Sequence, residues 1–278
     1  MNDQAKPLAG DLNAYDRAPE GTRWPALLTH VDRQRQDRYH LATDVEGAGF
    51  GGLADASIFA QDVSRAIANA GLPNDGRILV GQRIFQTGRV GLGEILSVEA
   101  MVCADGASPR GRILNCNIAF RRADNTVPLR MATEHLLPYA EMTILAPERT
   151  SGATPHSDPT DAMEAVGGLH LTPEKVAAYA DEVGNLIHSD PDFAHARGFR
   201  APIAQGLMQL TALHGAAVNH VAPWEMDLAI RFLRPVFWDS ELTLYADAQR
   251  RLYRCVDQGG KLTAEAHLHH LTTEDMEP

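Results

Sequence analysis

The chain has 278 residues, 44% hydrophobic and 22% charged, which is typical of a globular protein with one large or two medium domains. Its formal net charge of −11 argues against binding to nucleic acid or to an anionic membrane surface, because both favour a basic protein surface. Three scattered cysteines, Cys103, Cys116 and Cys255, indicate neither a disulfide framework nor a zinc site. The sequence has no apolar run of membrane-spanning length and no signal-peptide pattern, so we expect a cytoplasmic protein.

Residues 1–142 are expected to form an N-terminal half with one helix and four strands. Residues 1–25 are polar and interrupted by Pro and Gly, which predicts a loose arm. Between residues 53 and 72 the apolar positions have helical spacing and stop at Gly71, which predicts a buried helix. Alternating segments separated by turn residues predict strands at 77–86, 93–103, 110–121 and 127–137.

Residues 143–168 are interpreted as a linker. They are rich in Pro, Ser, Thr and Gly and show no hydrophobic period. The following helix is predicted to begin with Thr172 as N-cap and Pro173 in its first turn. Its apolar stripe is expected to end at Gly184.

Residues 169–278 are expected to form a C-terminal half that repeats the order of the first. A second helix is predicted from Gly206 to about residue 221, followed by strands at 227–234, 241–250, 252–257 and 261–272. Residues 85–96 match 232–243 without a gap. A helix followed by a run of antiparallel strands, present twice, is an α+β pattern.

The segment from 185 to 208 carries a motif. It contains Asn-Leu-Ile-His-Ser-Asp-Pro, then Phe-Ala, Gly-Phe and finally Pro-Ile-Ala-Gln-Gly-Leu-Met. This order resembles the MaoC-like (R)-specific enoyl-CoA hydratases, whose pattern is a Gly-Asp-x-Asn-Pro-x-His-x-Asp loop, an Ala-containing helix and Pro-Ile-x-His-Gly-Leu or Met. The matching residues, at nearly the family spacing, are Asn185, His188, Asp190, Ala194, Gly198, Pro202, Gly206 and Leu207.

The resemblance implies a double hotdog, in which two repeats of a central helix are each wrapped by an antiparallel β-sheet. The N-terminal half, 1–142, would be a degenerate hotdog that shapes an acyl tunnel, and 169–278 would carry the site. The implied substrate is an acyl-CoA thioester, or less favourably an acyl-carrier-protein thioester, and the implied assembly is a homodimer. The sequence has no Gly-rich nucleotide loop and no Cys/His ligand cluster, so we expect no cofactor and no metal.

Hydration of a 2-enoyl thioester needs a base near water, an acid near C2 and hydrogen-bond donors on the thioester oxygen. We expect His188 to exchange the proton, because the unperturbed pKa of histidine is about 6.5. Asn185 would hold the water, and the backbone N–H of Gly206 at a helix start would polarise the carbonyl. Further substrate contacts are expected from Asp190, Phe199, Gln205 and Leu207, and contacts to a CoA phosphate from Arg231 and Arg234.

The sequence departs from the family at its catalytic Asp. That residue lies five positions before the His in the family, where this chain has Val183. The loop proline is replaced by Leu186, and the His before the glycine by Gln205. Three interpretations stay open: a shortened loop brings Asp181 to the site, His188 acts with Asn185 and one unidentified residue, or activity is lost.

Two other functions remain open. A hotdog thioesterase would attack the acyl carbonyl and release a free thiol, leaving the enoyl double bond intact. A non-catalytic acyl-thioester-binding partner subunit would bind the thioester without turnover, and the missing Asp favours it.

Overall fold

The computed structural model describes residues 12–138 and 159–273 of the chain. The described part of the N-terminal half has two α-helices and five strands. In chain order they are β1 (Leu27–Thr29), α1 (Arg33–Thr43), α2 (Gln61–Asn69), β2 (Ile78–Gln86), β3 (Leu96–Ser108), β4 (Gly111–Arg121) and β5 (Leu129–Pro138). Short 3-10 helices occur at Leu12–Arg17, Gly47–Phe50 and Ala56–Ala60.

The described part of the C-terminal half has three α-helices and five strands. In chain order they are β6 (Met163–His170), α3 (Pro173–Ala180), α4 (Pro191–His195), α5 (Gly206–Ala217), β7 (Glu225–Phe232), β8 (Glu241–Asp247), β9 (Leu252–Asp257) and β10 (Leu262–Thr272). A 3-10 helix at Leu186–His188 precedes α4. None of the helices in these described segments has the length and apolar character needed to cross a membrane.

The ten described strands form one antiparallel sheet in the order β1-β3-β4-β5-β2-β7-β10-β9-β8-β6. Strands β2 and β7 pair at its centre, in a register that runs from Gly81 opposite Arg231 to Gln86 opposite Met226. Five strands of the N-terminal half therefore lie on one side of this pairing, and five of the C-terminal half lie on the other. This arrangement confirms the predicted α+β class and the repeat of the two halves.

Helix α5 is the central helix of the C-terminal half. It packs against strands β6, β7, β9 and β10, and Met208, Leu210 and Leu213 are fully buried. A helix that is enclosed on several sides needs apolar residues around most of its circumference, which explains its lack of a polar face. Helix α2 lies against β1 and β3 and buries Val63, Ala66 and Ile67, whereas its end at Asn69 is exposed.

Helix α3 begins as predicted. The Thr172 hydroxyl accepts a hydrogen bond from the backbone N–H of Lys175 at 3.3 Å, and Pro173 occupies the first turn. The helix ends at Ala180, earlier than the predicted stripe, and Gly184 follows at a φ of 65°. Val183 therefore lies beyond the helix, in the segment that leads to His188.

Several elements differ from the prediction. Helix α1 was not predicted, because its sequence is mostly charged and lacks an apolar period. The predicted linker 143–168 overlaps β6 at 163–168, which pairs with β8 at the edge of the sheet; residues 143–158 lie outside the described residues. The predicted loose arm includes a 3-10 helix whose Tyr15 is fully buried and donates a hydrogen bond to the carbonyl of Pro73 at 2.8 Å.

Candidate active site

A cavity of about 740 Å³ is lined by both halves of the chain. The N-terminal half contributes residues of α2, of β2 and the segment before it, and of β5. The C-terminal half contributes the loop before α4, the start of α5 and the segment after β7. Of the residues predicted for the site, the cavity brings together Asn185, His188, Phe199, Gln205, Gly206, Leu207 and Arg234.

The loop that carries His188 is held by local hydrogen bonds. The Asn185 side-chain oxygen accepts from the backbone N–H of Ile187 at 3.2 Å, which caps the 3-10 helix. The N–H of Ile203 donates to the carbonyl of Ile187 at 3.1 Å and so joins this loop to the segment before α5. Asn185 is therefore a capping residue that also lines the cavity, and its amide nitrogen is not used by the cap.

The hydrogen bond of His188 determines its tautomer. Its Nδ1 lies 2.7 Å from the carbonyl oxygen of Ile203, and a carbonyl can only accept, so Nδ1 carries the proton. Burial lowers the pKa of His188 to about 4, although the hydrogen bond to Ile203 acts in the opposite direction. At neutral pH the ring is therefore uncharged, and Nε2 is left as a proton acceptor.

Helix α5 begins at Gly206 on the cavity wall. Within residues 12–138 and 159–273, the backbone N–H groups of Gly206 and Leu207 have no hydrogen-bond acceptor. Unpaired N–H groups at a helix start favour a partly negative oxygen. A Cβ at position 206 would lie 3.0 Å from the ring of Phe232, so a side chain here would crowd the ring.

Gln205 and Leu207 link the start of α5 to other elements. The Gln205 side-chain oxygen accepts from the amide nitrogen of Gln61, at the start of α2, at 2.7 Å. Leu207 is buried, and its carbonyl accepts from the Tyr179 hydroxyl at 2.8 Å. These contacts fix the start of α5 against both halves of the chain.

Asp181 does not reach the cavity, which corrects the expectation that it replaces the family carboxylate. Its side chain is 76% exposed and lies 3.9 Å from the guanidinium of Arg38. The neighbouring Glu182 also faces α1, where it pairs with Arg35 and Arg38. The end of α3 is directed towards α1, so its carboxylates neutralise arginines there.

Two other predicted contacts are also placed elsewhere. The Asp190 side chain accepts from the backbone N–H of Phe193 at 3.0 Å and caps α4, outside the cavity lining. Arg231 lies on β7 with its side chain 69% exposed, 3.9 Å from Glu134, and it does not line the cavity either. Arg234 does line it, and its Nη1 donates to the carbonyl of Leu262 at 2.7 Å.

The charge of the cavity differs from that of the chain. Among the described residues that line it there is no Asp or Glu, but there are four arginines: Arg77, Arg110, Arg197 and Arg234. Sequence reasoning missed the first three. The sequence predicts Arg77 as the first residue of a strand, and nothing in the local pattern indicates that it shares a cavity with His188.

The chain resembles known proteins in one domain and in its fold. Residues 156–266 match the family model described as the MaoC like domain. The crystal structure of HtdX from Mycobacterium tuberculosis superposes with a TM-score of 0.68 and 18% identity, covering 87% of this chain and 98% of that one. A MaoC-like dehydratase from Phytophthora capsici gives a TM-score of 0.70 and 14% identity, covering 94% and 98%.

A conserved hypothetical protein from Mycobacterium tuberculosis with a double hotdog fold gives a TM-score of 0.58 and 13% identity, covering 91% of this chain and 97% of that one. No curated protein sequence matches the chain. The fold and the shared cavity define a double hotdog protein. The match of residues 156–266 to the MaoC like domain, together with the double hotdog fold of a similar structure, confirms the MaoC-like resemblance and the fold class predicted from the sequence.

Proposed function

We propose that this protein adds or removes water across the 2,3 bond of an enoyl or (R)-3-hydroxyacyl thioester of CoA. The observation that carries the proposal is the pairing, in one cavity, of a neutral His188 with the unpaired N–H groups at the start of α5. The first is a proton acceptor and the second is a site for an oxyanion. Both are needed for this reaction.

One histidine is sufficient to move the proton. Nε2 of His188 accepts a proton from water as the water oxygen bonds to C3 and the electrons of the double bond move towards the thioester oxygen. The imidazolium then donates the same proton to C2, and the carbonyl re-forms. A buried imidazolium with a lowered pKa is a strong acid, which favours this second transfer.

The remaining groups orient the reactants. The amide nitrogen of Asn185 donates to the attacking water, while the N–H of Gly206 binds the oxygen on which the enolate charge develops. The glycine keeps the helix start open to close approach of the thioester. Phe199, Gln205 and Leu207 line the acyl path beside these groups.

The arginines favour a CoA thioester. CoA carries several phosphate charges, and guanidinium groups bind phosphate oxygens with paired N–H donors. Arg110 and Arg234 are exposed and line the cavity, so they are suited to phosphates at its entrance. A cavity without acidic residues among its described lining adds no repulsion to such a ligand.

A second candidate function is binding of an acyl thioester without turnover. The absence of Asp or Glu from the described cavity lining favours it, because the family Asp is replaced by Val183 and neither Asp181 nor Asp190 reaches the cavity. A thioesterase remains as a third outcome of the same assay.

The test follows two signals with a panel of 2-enoyl-CoAs: absorbance of the conjugated thioester and release of free thiol. The variant is His188→Ala, and the matched control is His170→Ala, an exposed histidine on β6 outside the cavity. We expect absorbance loss without thiol release, retained in the control and abolished in His188→Ala. Thiol release would indicate a thioesterase, and binding without either signal would indicate the non-catalytic function.

We also propose a homodimer that acts in the cytoplasm. The family resemblance supports the first, and the free Cys103, Cys116 and Cys255 are consistent with a reducing compartment. Sedimentation velocity on the purified chain tests the assembly, and fractionation of the source cells tests the location.

A further inference from the structure

Arg77 places a cation on the cavity wall. It lies just before β2, and its Nη2 donates to the Ser64 hydroxyl at 3.0 Å and to the Asn74 side-chain oxygen at 2.8 Å. Its Nη1 donates to the ring of His135, and its Nε is buried without a partner among the described residues. The three partners are neutral, since a histidine that accepts from arginine is not protonated.

No carboxylate balances this charge. Within the described residues no Asp or Glu pairs with Arg77, whereas Arg35, Arg83 and Arg112 each form an ion pair. Burial lowers the pKa of Arg77, and the ionisable groups that oppose this are Tyr15 and Cys116, which are uncharged at neutral pH. Arginine nevertheless stays protonated in proteins.

Arg77 is half-buried, and a charge that is partly removed from water without a counterion is costly for the free protein. A guanidinium that is fixed by three neutral partners and faces a cavity is arranged to receive an anion from that cavity. The same cavity contains His188, so the anion belongs to the ligand on which His188 acts.

We infer that Arg77, with Ser64 and Asn74, forms a subsite for a carboxylate on the acyl group. The substrate class is then a 2-enoyl thioester whose acyl chain carries a second, free carboxylate. This inference rests on the proposed function in taking the ligand to be an acyl thioester.

The position of Arg77 favours an acyl carboxylate over a phosphate of CoA. Its guanidinium interacts with His135, which is 1% exposed, and it is near Tyr15 and Cys116, which are fully buried. Arg110 and Arg234, by contrast, are exposed. Phosphates of CoA are large and strongly hydrated and suit the exposed arginines, whereas an acyl group enters the interior.

The experiment measures binding of saturated acyl-CoAs, which cannot be hydrated. Glutaryl-CoA and adipyl-CoA are compared with pentanoyl-CoA and hexanoyl-CoA, which have the same carbon numbers, and with free CoA. We expect the diacid thioesters to bind about 10- to 100-fold more tightly, the range for a charge-assisted hydrogen bond. In Arg77→Met the diacid and monoacid thioesters should bind about equally tightly.

The matched control is Arg234→Met, which removes an exposed cavity arginine. This substitution should weaken the binding of all the ligands, free CoA included, by a similar factor. The ratio of diacid to monoacid affinity should therefore stay the same. Arg77→Lys keeps the charge but not the paired donors, so part of the preference for diacid thioesters should return.

Equal binding of diacid and monoacid thioesters to the native protein would overturn the subsite. A loss in Arg77→Met that is the same for free CoA would also overturn it, because the anion would be a phosphate.

The stability of Arg77→Met shows whether Arg77 has a ligand-binding role or a structural one. Since Arg77 has no counterion in the free protein, Arg77→Met should leave the urea midpoint unchanged or raise it, as often occurs when a functional charge is removed. A lower midpoint together with unchanged ligand preference would assign Arg77 to the core and contradict the subsite.

The two proposals can fail separately. If no enoyl-CoA is hydrated while the diacid preference persists, the proposed function is wrong and the subsite stands. If enoyl-CoAs are hydrated and diacid thioesters bind no more tightly than monoacid ones, the subsite is wrong and the proposed function stands.

Discussion

Nδ1 of His188 lies 2.7 Å from the carbonyl oxygen of Ile203, fifteen residues later in the chain. Ile203 comes three residues before Gly206, the first residue of α5. This one hydrogen bond therefore joins the proton acceptor to the segment that presents the oxyanion donors. It also leaves Nε2 of the histidine for the substrate.

The first prediction concerns pH. Burial lowers the pKa of His188 to about 4, so the neutral, proton-accepting form is present throughout the physiological range. We expect kcat/KM for hydration to be flat above about pH 5 and to fall with decreasing pH through about 4, as Nε2 becomes protonated. A stopped-flow pH profile measures this. A midpoint near the ordinary histidine pKa of about 6.5 would show that burial does not lower the pKa of His188.

The second prediction restores the family carboxylate. Val183 lines the cavity, so Val183→Asp places a negative charge there. A nearby anion favours the imidazolium, so the pKa of His188 should rise and the acidic limb of the pH profile should move to higher pH. We expect hydration of monocarboxylic enoyl-CoAs to increase about 100-fold, the lower end of the gain from a general acid–base group.

Val183→Asn is the matched control, since it has a similar size and polarity but no charge. A pH profile that is the same in Val183→Asp and Val183→Asn would mean that position 183 does not act on His188.

The third prediction separates the two roles of Asn185. Its oxygen caps the 3-10 helix, whereas its amide nitrogen is free for the water. Asn185→Asp keeps the acceptor and loses the donor, so the free energy of unfolding should change little while kcat falls by about 10- to 100-fold. Asn185→Ala should lose both the capping oxygen and the amide donor. Its free energy of unfolding should therefore also fall by about 1 kcal/mol. Urea unfolding and steady-state kinetics on the same preparations give both values. Equal kcat in Asn185→Asp and the native protein would exclude the amide from catalysis.

The fourth prediction compares two neighbouring carboxylates. Asp181 is exposed and weakly paired, so Asp181→Asn should change the free energy of unfolding by less than about 0.5 kcal/mol and leave hydration unaffected. Glu182 is partly buried between Arg35 and Arg38, so Glu182→Gln should destabilise the protein by about 1–3 kcal/mol. Urea unfolding of both variants gives the two values. A strong loss of hydratase activity in Asp181→Asn, but not in Glu182→Gln, would show that Asp181 acts in the site.

The fifth prediction concerns Asp55, which is fully buried between two histidines. Its carboxylate lies 2.9 Å from Nε2 of His40 and 3.0 Å from Nδ1 of His214, on helices α1 and α5. Burial alone would raise the pKa of Asp55, but the histidines more than offset it and hold this pKa well below its usual range. Asp55→Asn should lower the free energy of unfolding by about 3–5 kcal/mol, since it leaves the histidines without their anion.

The pH dependence of unfolding checks the same contact. Because the pKa of Asp55 is lower in the folded state, its contribution is complete above the unfolded value of about 3.9 and is lost as pH falls below it. Urea midpoints of the native protein should therefore fall more steeply below about pH 4 than those of Asp55→Asn. Parallel curves would contradict the assigned pKa direction.

Local patterns in the sequence determined much of the fold. The N-cap at Thr172 and the strands of each half follow from capping and alternation, which act between residues close in the chain. The loop motif likewise indicated His188 and Gly206, because their spacing is local.

The tertiary structure alone decided the rest. Helix α1 has no apolar period, and it is held by contacts with α3 and α5 that are distant in sequence. The direction of the Asp181 side chain depends on Arg38 of that helix. The anion-binding role inferred for Arg77 depends on the absence of a carboxylate partner among the described residues. Charge pairing and burial are set by residues far apart in the chain, so the pattern around each residue does not encode them.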